Sequence, residues 1–293
     1  MSDANSETRS PSSPDQIGAA RRTALVTGAS SGIGRATAQM LLERGYRVVG
    51  TSRNPASIPE DERLAGLVYR ALDLGDSHSI EGFLTALAAE DLLPDVVVNN
   101  AGESQSGPLE DLPLGALERL FQVNVLGPVH LTQLLLPRMR TQGYGRVVMV
   151  GSMLASFPLA YRSSYVASKA ALRGFADAAR LEMSPYGVWL TTVEPGSINT
   201  GISERRTKYV ADDSPHAERF SRMLRTLDGN ERDGISPARV ARTICDAIEE
   251  DSPPPLHAVG SAAPAVFALK RLLPGAVVER VVGRKFGLSP ARR

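Results

Sequence analysis

Tyr165 and Lys169 stand four residues apart in "SSYVASKAAL", residues 163–172. Positions i and i+4 of a helix share a face. A phenol titrates near pH ~10, and an adjacent positive charge favours the phenolate and moves that value towards the working range of an acid–base catalyst. The same spacing also suits a blander pair, a core tyrosine with a wet tip beside a solvated lysine. Ser152 closes the apolar run "RVVMVGS". A hydroxyl there emerges at the carboxyl edge of a strand, where open α/β sheets bind their ligands. Asn124 lies inside the apolar pattern "LFQVNVLGPVHLTQLLL". A buried amide needs a partner, and helix backbone loosened near Gly127 and Pro128 is one candidate.

Such groups need a scaffold that brings them to one edge. Short apolar runs recur with helical patterns between them: "TALVTGAS", "YRVVGTSR", "LVYRAL", "DVVVNNAG", "GRVVMVGS" and "VWLTTVEPG". Continuous apolar runs alternating with helices imply a parallel sheet covered on both faces, the doubly wound α/β class (Rossmann fold), with right-handed crossovers. Between the first run and "GRATAQMLLERG" lies "TGASSGIGR". Gly28 permits the tight exit from the strand, Gly32 gives the backbone close approach to a phosphate, and Gly34 lets the helix pack closely. The N–H groups at the helix start favour phosphate oxygens. A glycine-rich turn without a ligand is the alternative. The helix carries Ala36, Met40 and Leu41 at helical spacing and stops at Gly45, a natural C-cap.

Bulk properties exclude several classes. The chain of 293 residues is 42% hydrophobic and 22% charged, with a net charge of +1. That composition is globular and gives no electrostatic case for a nucleic-acid partner. Cys245 is the single cysteine. It rules out an internal disulfide, fits a reducing compartment, and reads as a small buried residue beside Ile244, Val240 and Ile248. His78, His130, His216 and His257 are scattered without metal-ligand spacing, so no metal is implied. No G-x-S-x-G elbow accompanies Ser152, which removes acyl transfer. No apolar run is long enough to span a membrane. Residues 1–20 are Ser-, Pro- and charge-rich without an apolar segment and are expected to be a disordered tail.

These motifs resemble, in order and spacing, those of the short-chain dehydrogenase/reductase family: "TGASSGIG" (27–34), "DL" (73–74), "NNAG" (99–102), Asn124 in "FQVNVLGP", "GS" (151–152), "YVASK" (165–169) and "PGSINT" (195–200). The resemblance runs from about Thr23 to Thr200. It implies a single Rossmann-type domain over residues 21–260, with a substrate lid at about 201–233. It implies a nicotinamide cofactor held by Thr27, Gly28, Ser30, Ser31, Gly32, Ile33 and Gly34, by Asp73 and Leu74 near the adenine, and by Asn100, Ala101 and Gly102 along the ribose. Pro195, Gly196, Ile198 and Thr200 would meet the carboxamide and phosphates. An acidic residue at the end of the second strand selects NAD in such folds; here Ser52 is neutral and Arg53 follows, which implies NADP(H). The catalytic set is Asn124, Ser152, Tyr165 and Lys169. Tyr165 acts as general acid/base, Ser152 orients the substrate oxygen, Lys169 depresses the phenol's pKa and holds the ribose, and Asn124 supports a water relay.

The substrate side looks lipophilic. Met153, Leu154, Phe157 and Leu159 are expected to wall the pocket. Phe220, Met223 and Leu224 either close on a ligand or pack on the domain. "NVLGPVHLTQLLLPRM" and "VEPGSINTGI" are similar in manner to hydroxysteroid and retinol dehydrogenases. The expected activity is interconversion of a lipophilic secondary alcohol and ketone, or primary alcohol and aldehyde. After about residue 260, "APAVFALKRLLPGAVVERVVGRKFGL" mixes apolar residues with Lys270, Arg271, Arg280, Arg284 and Lys285. This basic amphipathic extension, residues 261–293, has three roles open to it: contact with an anionic membrane, contact with a subunit, or cover for the cleft. A cytoplasmic homo-oligomer is the expected state. The competing readings are a catalytically silent nucleotide sensor or scaffold on this fold, and a nucleotide-sugar epimerase or dehydratase.

Overall fold

The computed structural model describes residues 21–288; the tail expected to be disordered and the last residues of the C-terminal extension lie outside that range. The strands are β1 (Thr23–Val26), β2 (Arg47–Ser52), β3 (Val68–Ala71), β4 (Val96–Asn99), β5 (Gln105–Ser106), β6 (Gly145–Val150), β7 (Val188–Pro195), β8 (Thr207–Lys208) and β9 (Leu256–Val259). Seven of them form one parallel sheet in the order β3-β2-β1-β4-β6-β7-β9. The helices are α1 (Gly32–Glu43), α2 (Ser77–Ala89), α3 (Leu114–Phe121), α4 (Gly127–Gln142), α5 (Met153–Ser156), α6 (Ser163–Met183), α7 (Ala217–Arg232), α8 (Pro237–Glu249), α9 (Ala263–Leu272) and α10 (Gly275–Lys285).

Alternation along each strand divides the core into two halves. Leu25, Val97 and Val147 meet Ile80, Leu131 and Leu172 from α2, α4 and α6. Ala24, Val26, Val98 and Val148 meet Ala38, Leu41, Val240 and Ile244 from α1 and α8. Strands buried on both faces need apolar residues at every position, which is why the runs read as continuous. Cys245 belongs to the second half-core and is fully buried. Burial pushes its thiol up to about 12, the state of an inert thiol. The buried face of α1 is Gly34, Thr37, Ala38 and Leu41; Ala36 and Met40 are only partly covered.

The crossover reverses between β1 and β4, and the carboxyl ends of Val26, Val98 and Val148 lie in register there. That is the switch point at which such sheets take ligands. Two further features shape the site. β5 and β8 pair as a small separate parallel sheet, Gln105 with Thr207 and Ser106 with Lys208. α3 and α4 run on through a π-helical turn, Gln122–Leu126, and such turns recur at functional sites.

Helix α7, within the segment expected to form a lid, packs on the domain. Phe220 and Met223 are buried with Leu159, Phe286 and Leu288, and Leu224 lies against them. Leu159, expected in the pocket wall, is instead held beneath α7. Its side chain meets the apolar face of a helix that sequence periodicity alone leaves unplaced.

Candidate active site

The phosphate loop is laced to the end of β4. Thr27 Oγ1 accepts from the amides of Asn100 and Ala101, each at 3.0 Å. Asn100 Nδ2 donates to the carbonyls of Thr27 at 2.9 Å and Gly28 at 3.3 Å. Gly28 sits at φ +69°, a left-handed turn that glycine adopts without strain. A Cβ on Gly34 would lie 2.2 Å from the Gly28 carbonyl oxygen and 2.5 Å from Asn100 Nδ2, so Gly34 lets α1 pack against its own loop and the end of β4. The first turn of α1 faces outward. Ser31, its N-cap, makes no side-chain capping bond; its hydroxyl accepts from Arg205 Nη1 at 3.0 Å.

The loop opens on a cleft of about 840 Å³. Gly28, Ser30, Ser31, Gly32 and Ile33 line it, with Ser52, Arg53, Asp73, Leu74, Asn100, Ala101 and Gly102 along one limb. Pro195, Gly196, Ile198 and Thr200 line the other, and Ser152, Tyr165 and Lys169 the middle. Thr27, Gly34 and Asn124 stand behind this wall and shape it. Arg53 is 69% exposed and lies 3.7 Å from Glu103. Arg119 holds that same carboxylate at 2.7 Å, so Arg53 is only loosely engaged. A helix start without a side-chain cap and a loosely held guanidinium fit a nicotinamide dinucleotide with its phosphates.

Ser152 follows β6 and caps α5, accepting from the Leu154 amide at 3.2 Å. Tyr165 and Lys169 lie on one face of α6, with Lys169 Nζ 5.9 Å from the phenol ring centroid. Both are buried. Lys169 Nζ donates to the Val150 carbonyl at 2.8 Å, and burial pulls its pKa down to about 8. Burial pushes the Tyr165 phenol above its ordinary value; the charge of Arg162 and a hydrogen bond with Ser152 pull the other way. For the protein without nucleotide, desolvation of the phenolate outweighs the nearby charges.

Asn124 Oδ1 accepts from the Glu103 amide at 2.8 Å, and its Nδ2 donates to the Glu103 carbonyl at 3.0 Å and to Ser168 Oγ at 3.3 Å. Its partners are the strand-end segment after β4 and helix α6, not the backbone of its own helix. The π turn supplies the rotation that aims the amide there. A Cβ on Gly102 would sit 3.0 Å from Asn124 Oδ1 and 3.6 Å from Lys169 Nζ, so these three positions share one small space.

Residues 22–210 match the short chain dehydrogenase family. The chain belongs to that family. A 3-ketodihydrosphingosine reductase from Bacteroides thetaiotaomicron is 32% identical over 83% of this chain and 90% of its own length. The crystal structure of a short-chain dehydrogenase from Streptomyces avermitilis superposes with a TM-score of 0.77 at 29% identity, covering 92% of this chain and 98% of that one. A metagenomic short-chain oxidoreductase solved with NADP gives 0.64 at 28% identity, over 81% and 96%.

In this short-chain dehydrogenase, several cleft residues carry no sequence signal. Arg162, at the N-cap of α6, lays its guanidinium 4.2 Å over the Tyr165 ring. Arg205 reaches the phosphate loop from the lid. Glu231 on α7 lines the cleft, clamped by the buried Arg206 at 2.6 Å. Val266, Leu269, Leu273, Val278 and Val282 bring α9 and α10 to the cleft wall, where Met153, Leu154 and Phe157 also stand. Of these, only the apolar stretch after β6 and the amphipathic C-terminal segment were visible as patterns.

Proposed function

We propose that this short-chain dehydrogenase is an NADP(H)-dependent oxidoreductase that interconverts an alcohol and a carbonyl on a lipophilic molecule, with Tyr165 as general acid/base. The observation that carries this reading is the meeting of Ser152, Tyr165 and Lys169 in the same cleft as the phosphate loop. NADP(H), when bound, supplies or accepts the hydride. The chain's own groups handle the oxygen. With its pKa raised by burial, the Tyr165 phenol is protonated at neutral pH, so it is in the state that donates a proton to a carbonyl oxygen. Ser152 offers a fixed hydroxyl to the same oxygen. Asn124 and Lys169, close to Gly102, mark a path by which the phenol is reprotonated. The Bacteroides relative, named as the reductase of a keto compound, and the metagenomic relative solved with NADP support this assignment. The direct test is a screen of ketones and aldehydes that follows NADPH absorbance. Absence of turnover across aliphatic, aromatic and steroid-like carbonyls, with NADPH bound, would favour a nucleotide sensor.

Cofactor choice is testable at Arg53. Arg53→Ala is expected to weaken NADPH about ten- to a hundred-fold, the equivalent of a charge-assisted contact of about 1.5–3 kcal/mol. NADH affinity should hold, because only the 2′-phosphate is read. Equal loss for both cofactors in calorimetric titrations would remove Arg53 from that role.

The substrate's lipophilic character rests on the C-terminal helices. No helix among the described residues is long and apolar enough to cross a membrane. Yet Leu269, Leu272 and Val281 are 51%, 81% and 58% exposed, near Arg271, Arg280, Arg284 and Lys285 in the chain. An apolar ridge rimmed by cations suits the surface of an anionic bilayer. The protein is expected to co-sediment with phosphatidylglycerol vesicles at low salt and to be released by high salt. Equal, salt-independent retention by neutral phosphatidylcholine vesicles, or none by either, would count against it.

A further inference from the structure

Arg162 is 3% exposed, yet the described residues offer it no carboxylate within ion-pair distance. Its Nη1 is spent on three acceptors in the segment around β5: Ser104 Oγ at 3.0 Å, the Gln105 carbonyl at 2.8 Å and Ser106 Oγ at 2.9 Å. Its Nε has no partner. The residue before it, Tyr161, takes a left-handed φ of +65°, a conformation that costs a non-glycine residue free energy and persists only where the surroundings impose it. The chain thus bends sharply to drive a cation inward, and fixes it by one edge. The opposite result of that fixing is a flat guanidinium 4.2 Å over the ring of Tyr165.

A buried cation without a counter-ion is destabilising unless something compensates. An aromatic face compensates in part. A phenolate compensates far better. We propose that Arg162 is a positioning residue for the catalytic phenol: its guanidinium, lying over the Tyr165 ring, holds that ring in place and stabilises the ionised oxygen. The inference rests on Tyr165 being the acid/base of the proposed reaction.

The other charged and polar groups around this phenol have distinct parts. Lys169 faces it from α6 and Ser152 from the end of β6. From the lid come Arg206 and Glu231, with Asp228 beside them; Arg206 is paired with Asp228 at 2.6 Å and with Glu231. One guanidinium there faces two carboxylates, and the surplus negative charge partly offsets Arg162 while Glu231 opposes the phenolate. Lys169, held near 8 by burial, loses its proton as the pH rises. Burial pulls the Arg162 guanidinium down to about 10 as well, still above the lysine. As the pH rises Arg162 therefore outlasts Lys169 as the positive charge beside the phenol. It is also mechanically tied to the lid, because β5, which holds Arg162, pairs with β8 at the lid's base.

The test is a spectroscopic titration of phenolate absorbance in the full-length protein, with and without saturating NADP⁺. Tyr165→Phe run in parallel gives the difference that isolates this phenol from the other tyrosines. Arg162→Gln is expected to raise the Tyr165 midpoint by about one to two pH units, with NADPH affinity within a few-fold of the parent. Arg162→Lys is expected to restore the midpoint only in part, because burial pulls an ammonium down as it does Lys169. An unmoved midpoint in folded Arg162→Gln overturns the proposal. Should that variant fail to fold, Arg162→Met, neutral and apolar, decides on the same reading: a raised midpoint supports the role of charge, and one kept near the parent's overturns it. The titration needs no substrate. A shifted midpoint in a protein that reduces no carbonyl would sink the proposed reaction and keep this inference; an active enzyme with an unmoved midpoint would do the reverse.

Discussion

Tyr165→Phe is expected to bind NADPH as the parent does and to lose turnover by about 10²- to 10⁴-fold, the range for removal of a positioned proton donor. The substitution deletes one hydroxyl. The ring remains, packed under Arg162 and 9% exposed, so the fold and the cleft wall should persist. The distinguishing result is the split between binding and chemistry: unchanged NADPH affinity by fluorescence titration, with a collapsed kcat on whichever carbonyl the parent reduces. Activity within a few-fold of the parent would remove Tyr165 from the reaction.

Lys169→Met should cost turnover about a hundred-fold or more at pH 7 and also weaken the cofactor. Its signature is in the pH dependence. A positive charge favours the phenolate, so removing it raises the pKa of Tyr165. In the direction of alcohol oxidation, where the phenolate is the base, the rise of rate with pH then moves to higher pH. Because burial holds the parent lysine near 8, its ammonium is present below that pH and fades above it. The gap between parent and variant should therefore be widest below pH about 8 and narrow on the alkaline side. The profile is measured at saturating NADP⁺. An unshifted curve with unchanged cofactor affinity would mean that Tyr165 and Lys169 share a helix face by chance.

How much of the site was legible depends on the range of the interactions that form it. The phosphate loop, the "NNAG" segment and "YVASK" are local: a strand end, a turn and the next helix carry the group, and the residues that do so are adjacent in the chain. Their order and spacing therefore stood out in one dimension. So did the strands β1, β2, β4, β6 and β7, because burial on both faces demands unbroken apolar runs; β3, only partly covered, showed through its Val68 and Tyr69 alone. β9 escaped notice, since Leu256, His257 and Ala258 are only half covered at the sheet's edge and leave no such run.

The sequence by itself determined the family, the doubly wound sheet and the residues that stand at its carboxyl edge. Only the tertiary structure decided what surrounds the phenol. It drew Leu159 under the lid, turned Asn124 through a π turn onto Glu103, brought the C-terminal helices to the cleft wall, and laid Arg162 on Tyr165. The reason is physical. Repeat periods and motif spacings report on backbone geometry within a few turns, whereas the acidity of a buried group is set by desolvation and by charges that arrive from distant parts of the chain.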